Sequence, residues 1–272
     1  MVFTFCLIFQ RESYPPAILE HKTRRLRKQT GNQNLRSALH PTELPRKIFL
    51  TSIIRPTKML FLSPIVFGLS MLTAVVYGCL YLVFTTMSEM YVSKYGISPA
   101  NVGLTYLGIG VGQFIGILIF GWISDRLIKR MSKEGEMKPE YRLPPLLPAV
   151  FFMPAGLLWY GWAAQFDGHW IVPIMGSSLI GFGAITVFMP VGTYLVDAYT
   201  TYAASVTAAN TVFRSLGGAL LPLCGRKMYA ALGFGWGNTL LAGIGISMAP
   251  MVWVFLKYGE RIRTHPRFQI KL

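Results

Sequence analysis

Six long apolar runs constrain the fold of this 272-residue chain more than any other feature of its sequence. Each run can cross about 30 Å of hydrocarbon as a helix that rises about 1.5 Å per residue. A backbone in hydrocarbon must satisfy its own hydrogen bonds, so these runs are expected to be helices. The sequence predicts an all-α fold, a polytopic membrane bundle of six spans near 59–86, 101–123, 145–165, 170–193, 203–224 and 237–257.

Composition agrees with a chain that lies largely in lipid. Hydrophobic residues make up 53% and charged residues 14%, whereas a soluble domain carries about 25% charged residues. The net charge of +15 could indicate nucleic-acid binding. However, the cations lie in segments between apolar runs, which is the pattern of a positively biased cytoplasmic face. We therefore expect a lipid bilayer and no nucleic acid as a partner.

The apolar runs divide the chain into three parts. Residues 1–58 are expected to be the stump of a preceding span and a basic cytoplasmic linker. Within that linker, residues 18–29 form either a mobile segment or a short amphipathic surface helix. Residues 59–257 hold the six spans, and residues 258–272 form a basic cytoplasmic tail. If the linker is cytoplasmic, 22 of the 26 Lys and Arg residues lie on that side, which predicts a multi-pass protein with both termini inside. We expect it in the plasma membrane.

Catalytic signals are weak in this sequence. The three cysteines are Cys6, Cys79 and Cys224, and they show no metal-ligand or disulfide-framework spacing. The four histidines are scattered over loops, and no nucleophile arrangement or phosphate-binding loop occurs. We expect no enzyme activity, no cofactor and no metal site.

A stripe of glycines marks the second run. Gly108, Gly112 and Gly116 recur at steps of four residues and so share one helix face. Such small-residue stripes let helix backbones approach closely in lipid. The stripe predicts close helix packing, and a face that also permits rocking is the alternative.

The most specific motif follows this second run. It reads Gly121-Trp122-Ile123-Ser124-Asp125-Arg126-Leu127-Ile128-Lys129-Arg130. The carboxylate can accept hydrogen bonds from a helix N-terminus, and the basic residues can pair with acids or lipid headgroups. The motif is similar to the loop motif G-x-x-x-D-R-x-G-R-R of the major facilitator superfamily, from which it departs at Ile128.

Further segments narrow this resemblance to the C-terminal half of fungal twelve-span drug:proton antiporters. They are Pro139-Glu140-Tyr141-Arg142-Leu143-Pro144, His169-Trp170-Ile171-Val172-Pro173, Tyr194-Leu195-Val196-Asp197-Ala198-Tyr199, and the run from Ala203 through Arg214 to Leu223. The resemblance implies one half of a major facilitator fold, with the substrate cavity between that half and an N-terminal six-span half. It also implies proton-coupled efflux of small organic compounds such as fungal secondary metabolites or toxins.

Two alternatives to a working transporter stay open at this point. The chain could be a truncated half that does not transport, or a membrane scaffold that needs another six-span chain. The apolar opening MVFTFCLIFQ resembles a cut helix, which favours a missing N-terminal half.

Arg214 is the first candidate for a cavity residue. It lies about ten residues into the fifth run, near the bilayer midplane, where a charge is costly unless it is paired or hydrated. It is expected to bond helix carbonyls, or to face a wet cavity, a group of the other half or an anionic ligand. Asn210, one turn earlier, could share its role.

Aromatic side chains supply the other cavity candidates. Tyr77, Tyr81 and Phe84 lie in the first run and Tyr106 in the second. Flat aromatic faces suit the recognition of apolar or cationic organic compounds. Helix packing and interfacial anchoring are the alternative roles.

A gating role is expected for the charges at the cytoplasmic membrane exits. Asp197 is predicted to approach the loop of Asp125, Arg126 and Arg130 and to latch a cytoplasmic gate. The alternative is that these are solvated charges, since exposed pairs contribute about 0–1 kcal/mol.

Overall fold

The structure is a computed structural model that describes residues 15–32, 34–37, 45–131, 138–166 and 168–264. The expected stump of a preceding span and the end of the basic tail lie outside these ranges. The chain separates into two compact units, residues 1–53 and residues 54–272, and each is described by itself.

The first unit contains a basic helix, α1, at Pro15–Thr30. The sequence left open whether this segment is a mobile linker or a surface helix. In the structure it is helical. Arg24 and Glu20 form an ion pair of 2.7 Å across one turn of α1. The next helix, α2 at Pro45–Leu62, begins in the first unit and ends in the second.

All regular structure of the described residues in the second unit is helical. The long helices are α3 Pro64–Tyr95, α4 Leu107–Met131, α5 Leu146–Gln165, α6 Ile171–Ala198, α7 Ala203–Ser247 and α8 Ala249–Thr264. Short 3-10 turns lie at Val102–Tyr106, Pro139–Arg142 and Thr200–Tyr202. Five segments of the described chain are long and apolar enough to cross a membrane, and the last of them, Thr200–Thr264, contains both α7 and α8.

Helix α7 consists of two arms that meet at Gly233. The backbone there has φ 73° and ψ 173°, which is not helical and suits a residue without a Cβ. The first arm, residues 203–232, runs parallel to α3, because Asn210 contacts Thr73 and Gly225 lies beside Leu82.

The second arm, residues 234–247, runs in the opposite direction. It is antiparallel to α5, since Asn238 lies at Gly161 and Gly245 at Pro154. Helices α3 and α5 end together, where Lys94 donates to the carbonyl of Ala164. The chain therefore reverses at Gly233, and the last apolar segment, Thr200–Thr264, passes along the bundle twice. The backbone N–H of Gly235, at the start of the second arm, donates to Gln165 Oε1 at 3.2 Å.

The bounds of the first crossing follow from local end signals. Ser63 caps α3, its Oγ accepting from the N–H of Val66 at 3.5 Å, and Pro64 follows at the first helical position. At the other end Gly96 adopts φ 63° and its N–H donates to the carbonyl of Tyr91. The apolar run therefore continues as a helix about nine residues beyond the end at residue 86 that the sequence predicts.

The glycine stripe of α4 lies directly against α6. A Cβ added at Gly112 would overlap the carbonyl oxygen of Ser178, and one at Gly108 would lie 2.7 Å from the carbonyl oxygen of Ile174. Gly116 faces Ile185, and Gly181 of α6 faces the backbone of Ile109 in return. The two helices therefore approach backbone to backbone, as small-residue faces do in membranes.

The outer surface of the bundle carries large exposed apolar side chains. On α4 they include Leu107, Val111, Phe114, Leu118 and Trp122. A second set, Leu232, Trp236, Leu240 and Ile244, borders a groove of about 620 Å³ along α7. Exposed apolar surface of this extent is typical of a lipid-facing protein.

We predict opposite effects of alanine at two glycines of α4. Gly112→Ala places a methyl group against the Ser178 carbonyl and should destabilise the protein by about 1–3 kcal/mol. Gly110→Ala meets nothing within 4 Å and should be neutral or stabilising by up to about 1 kcal/mol. Thermal unfolding of the detergent-purified variants measures both, and equal midpoints would contradict the close α4–α6 contact.

Candidate functional site

Arg214 lies beside two aromatic rings at half depth in the bundle. Its guanidinium carbon is 4.8 Å from the ring centre of Tyr77 on α3 and 5.4 Å from that of Phe188 on α6. The Nε atom is buried and has no hydrogen-bond partner among the described residues. The structure thus brings two of the predicted cavity residues, Arg214 and Tyr77, together. Phe188 completes the group, although the sequence gave no separate signal for it.

Close packing of α3 and α7 produces this contact. A Cβ at Gly217 would lie 2.5 Å from the carbonyl oxygen of Ala74, and one at Gly78 would lie 2.8 Å from that of Gly217. A Cβ at Gly218 would lie 2.6 Å from the ring of Tyr77. Glycines at these positions let the ring of Tyr77 lie close against α7 and reach the guanidinium of Arg214.

A row of aromatic rings continues from Tyr77 along the same face. The ring centres of Tyr77 and Tyr81 are 4.5 Å apart, and their hydroxyl groups share a hydrogen bond of 3.0 Å. Tyr81 contacts Phe84 edge-on at 6.0 Å, and Phe84 stacks on Tyr106 at 5.6 Å. The hydroxyl of Tyr106 is fixed by the carbonyl of Phe84 and by Ser88. All the predicted aromatic candidates therefore form one continuous surface, which we call the aromatic row (Tyr77, Tyr81, Phe84 and Tyr106).

Asn210, for which the sequence left a structural role and a cavity role open, takes part in a contact between helices. It is 8% exposed, and its Oδ1 accepts a hydrogen bond of 2.7 Å from the hydroxyl of Thr73. This bond satisfies a buried polar group between α3 and α7. Asn210 therefore links the two helices below Arg214, and the structure gives it no contact with the guanidinium.

The basic motif lies at the end of α4. Gly121, Asp125, Arg126 and Arg130 are all exposed. The guanidinium of Arg126 lies 3.8 Å from the ring centre of Trp122, one turn earlier. We call this end of the bundle, where α3 begins and α4 and α6 finish, the basic end.

Asp197 pairs with a different arginine from the one the sequence suggested. Its Oδ2 accepts a hydrogen bond from Nε of Arg142, and the side chains are 39% and 25% exposed. The expected pair with Arg126 is not formed. The physical reason is that the 3-10 turn Pro139–Arg142 packs beside the end of α6, while Arg126 stacks on its own helix.

Two further ion pairs at the basic end were not predicted. Arg263 Nε donates to Glu140 Oε1 at 2.9 Å, and Lys138 donates to Glu260 at 2.9 Å. Both connect the turn Pro139–Arg142 to α8. Glu140 and Arg142 stand in the segment Pro139–Pro144 that carried the resemblance, so the residues were visible in the sequence. The partners on α8, Arg263 and Glu260, were not, because α8 follows more than 100 residues later.

Tyr199 belongs to the same polar region. Its hydroxyl shares a hydrogen bond of 2.7 Å with Ser63 at the start of α3. Burial raises the pKa of Tyr199 above its ordinary value of 10.0, so the hydroxyl stays protonated and neutral at physiological pH. The bond therefore joins α3 to the end of α6 without adding a charge.

Metal-ligating side chains do not cluster in the part of the chain that the structure describes. No group of three or more His, Cys, Asp or Glu residues there could hold a metal ion. Cys79 and Cys224 are free thiols. The candidate functional groups of the bundle are thus Arg214 with its aromatic rings at half depth and the set of ion pairs at the basic end.

Comparison with known proteins decides the family. Residues 1–222 match the family model of the Major Facilitator Superfamily. The chain belongs to this superfamily. It is a multi-pass membrane protein, and its bundle corresponds to half of a major facilitator fold.

Its relatives are fungal transporters of the same superfamily. The chain is 58% identical over 261 residues to the MFS-type transporter penM of Penicillium rubens, covering 96% of this chain and 51% of that protein. It is 47% identical over 269 residues to the efflux pump radE of Floropilus chiversii, covering 98% and 50%. The MFS transporter cpaT of Aspergillus oryzae is 46% identical over 263 residues, covering 96% and 53%.

The chain spans about half the length of these curated relatives. No solved structure matches it. Membership of the major facilitator superfamily therefore rests on sequence similarity.

We predict that Asp197 is energetically coupled to Arg142 and not to Arg126. A double-mutant cycle with Asp197→Asn and Arg142→Gln should give a coupling of about 0.5–1 kcal/mol, at the low end because Asp197 is more than a third exposed. Thermal unfolding of the four purified proteins measures this coupling.

The matched control is the cycle of Asp197→Asn with Arg126→Gln. These changes should be additive because Arg126 stacks on Trp122 and does not face the carboxylate. Coupling with Arg126 but none with Arg142 would show that the observed pair is not the one that stabilises the protein.

Proposed function

We propose that this chain provides the substrate-binding and gating half of an efflux transporter for small organic compounds, such as fungal secondary metabolites or toxins. The observation that carries the proposal is the group of Arg214, Tyr77 and Phe188 at half depth in the membrane bundle. A charge at this depth costs about 2.5 kcal/mol or more unless it has a partner, so an arginine there is a functional candidate.

The aromatic row supports the same proposal. Its rings form one surface with the arginine at one end, and Tyr81 is 40% exposed on it. Transporters of this superfamily bind substrate near the midplane, between two helix bundles that rock against each other. The row has the chemistry to hold apolar and aromatic compounds with little demand for one shape.

The ion pairs at the basic end support a gating role. Arg142–Asp197, Arg263–Glu140 and Lys138–Glu260 join the turn before α5 to α6 and α8. We propose that they hold these helices together in one state of the transport cycle. In this proposal Arg142 takes the place that the sequence suggested for Arg126, and Gly121, Asp125 and Arg130 lie on the adjoining end of α4.

Energy coupling and location complete the proposal. The relatives include proteins named efflux pump and MFS transporter, and the sequence resembles drug:proton antiporters. We propose exchange with protons in the plasma membrane, with both termini in the cytoplasm.

Proton-coupled exchange can be tested in proteoliposomes that contain the pH dye pyranine. When an aromatic metabolite is added outside at equal pH, its entry should expel protons and make the lumen alkaline. The expected signal depends on the protein, and collapse of the pH difference with a protonophore abolishes it. The comparison set is a panel of neutral, cationic and anionic aromatic compounds.

Two preparations separate the alternatives that the sequence left open. One contains this chain alone, and the other adds the first half of the Penicillium rubens relative. A signal only with the added half favours a chain that needs another six-span partner. The absence of a signal for every compound in both preparations would refute transport by this bundle.

Orientation has its own expected outcome. In a background with Cys6→Ser, Cys79→Ala and Cys224→Ser, Asn101→Cys and Thr264→Cys both place a thiol at an exposed position. An impermeant maleimide should label the former in intact cells and the latter only after permeabilisation. Labelling of both thiols from outside would contradict the proposed orientation.

A further inference from the structure

Arg214 keeps unused hydrogen-bonding capacity in the described structure. A guanidinium has five N–H donors. The contacts with Tyr77 and Phe188 are made to ring faces, at 4.8 Å and 5.4 Å, and supply no negative charge. The buried Nε has no acceptor among the described residues. The side chain is thus positioned by its neighbours while its charge remains uncompensated by them.

The paired acids of the bundle are engaged elsewhere. Glu89 pairs with Arg226 at 3.1 Å near the end opposite the basic end. At the basic end, Glu140 pairs with Arg263 and Asp197 pairs with Arg142. Arg214 stands eleven residues into α7, about 16 Å along the helix. It therefore gives the middle of this face a positive potential, which attracts an anion in a medium of low dielectric.

The aromatic row sets the shape of the group that could accompany this anion. Tyr77, Tyr81 and Phe84 follow one another at four and three residues and so share one helix face. They extend about 10 Å along α3 from the guanidinium. Ring planes of this kind favour offset or edge contacts with another flat ring.

Resting on the function proposed above, we infer that the substrates of this site are flat aromatic anions, whose carboxylate or other acidic group binds Arg214 while the ring system lies on the aromatic row. The guanidinium fork can donate two parallel hydrogen bonds to a carboxylate. A neutral amide of the same shape accepts fewer bonds and leaves the arginine charge uncompensated.

The test compares 2-naphthoate with its neutral isostere 2-naphthamide. Calorimetric titration of the full chain in detergent should show about tenfold tighter binding of the carboxylate, as expected for one charge-assisted contact. Arg214→Gln should abolish this preference. Micelle partitioning of the two ligands is the same for every variant, so the ratio of the two affinities is the quantity compared.

Arg226→Gln is the matched control. Arg226 is an arginine of the same helix, but it is 81% exposed and already paired with Glu89. Its removal should leave the ratio within about twofold of that of the unmodified chain. Tyr81→Ala should weaken both ligands equally, because it removes ring contact and no charge.

A second variant keeps the inference testable if Arg214→Gln does not fold. Arg214→Lys retains the cation but loses the planar fork, so a reduced preference for the carboxylate is expected. The inference is overturned if the unmodified chain binds both ligands equally, if it binds neither, or if Arg214→Gln keeps the full preference.

These outcomes are separate from those of the transport assay. Carboxylate preference without movement of any compound would leave the binding site standing and refute the transport function. Exchange of neutral or cationic compounds with no preference for anions would support the transport function and refute the inferred binding of aromatic anions.

Discussion

The need to pair every backbone N–H and C=O group inside hydrocarbon is the constraint on which this structure depends. It forces the apolar runs into helices and leaves interruptions only where another group takes over the hydrogen bond. Gly233 illustrates this condition. The chain reverses there, and the side chain of Gln165, at the end of α5, accepts the N–H of Gly235 in the new arm. Gly96 meets the same condition at the end of α3, with its N–H on the carbonyl of Tyr91.

Once helices are forced, small residues decide which of them approach closely. Hydrophobic burial does not drive helices together in lipid, so packing and backbone contact determine the arrangement. Gly112 and Gly181 hold α4 against α6, and Gly78 and Gly217 hold α3 against α7. The second contact has a functional consequence because Gly218 leaves space for the ring of Tyr77. The guanidinium of Arg214 is therefore covered by that ring as a result of packing at Gly218, one turn later on α7.

Much of this organisation could be predicted from sequence, for identifiable reasons. The helices follow from apolar length, and the glycine face of α4 follows from its period of four residues. The mid-depth position of Arg214 follows from counting residues along a rise of about 1.5 Å. Its partners could not be predicted, because Phe188 looks like any other apolar residue of α6. Which helix faces which is a tertiary property that period and composition do not contain.

The ion pair of Asp197 shows that the partners of charged residues are also hard to predict from sequence. Sequence proximity to a membrane exit favoured Arg126, and the charge pattern gave no signal that Arg142, also at the basic end, is the partner. The structure separates them through a local effect, the stacking of Arg126 on Trp122, and through the 3-10 turn that carries Arg142 to α6. A short turn of this kind depends on Pro139 and on packing against α6 and α8, so its direction is not readable from the charge pattern alone.

The contrast between the two kinds of contact also explains how such a bundle could change shape without unfolding. Backbone contacts at glycines leave no room for small displacements. They join α3 to the first arm of α7, and they join α6 both to α4 and, through Gly176 and Gly183, to α5. The α3–α7 pair and the group of α4, α5 and α6 should therefore each move as a rigid body. The Arg142–Asp197 pair is partly hydrated and is worth about 0–1 kcal/mol, which thermal fluctuation can supply, so the turn Pro139–Arg142 can separate from α6 at the basic end. The contact of Arg214 with Tyr77 lies within the α3–α7 pair and should survive a motion between the two rigid groups, while the contact with Phe188 on α6 crosses between them and should change.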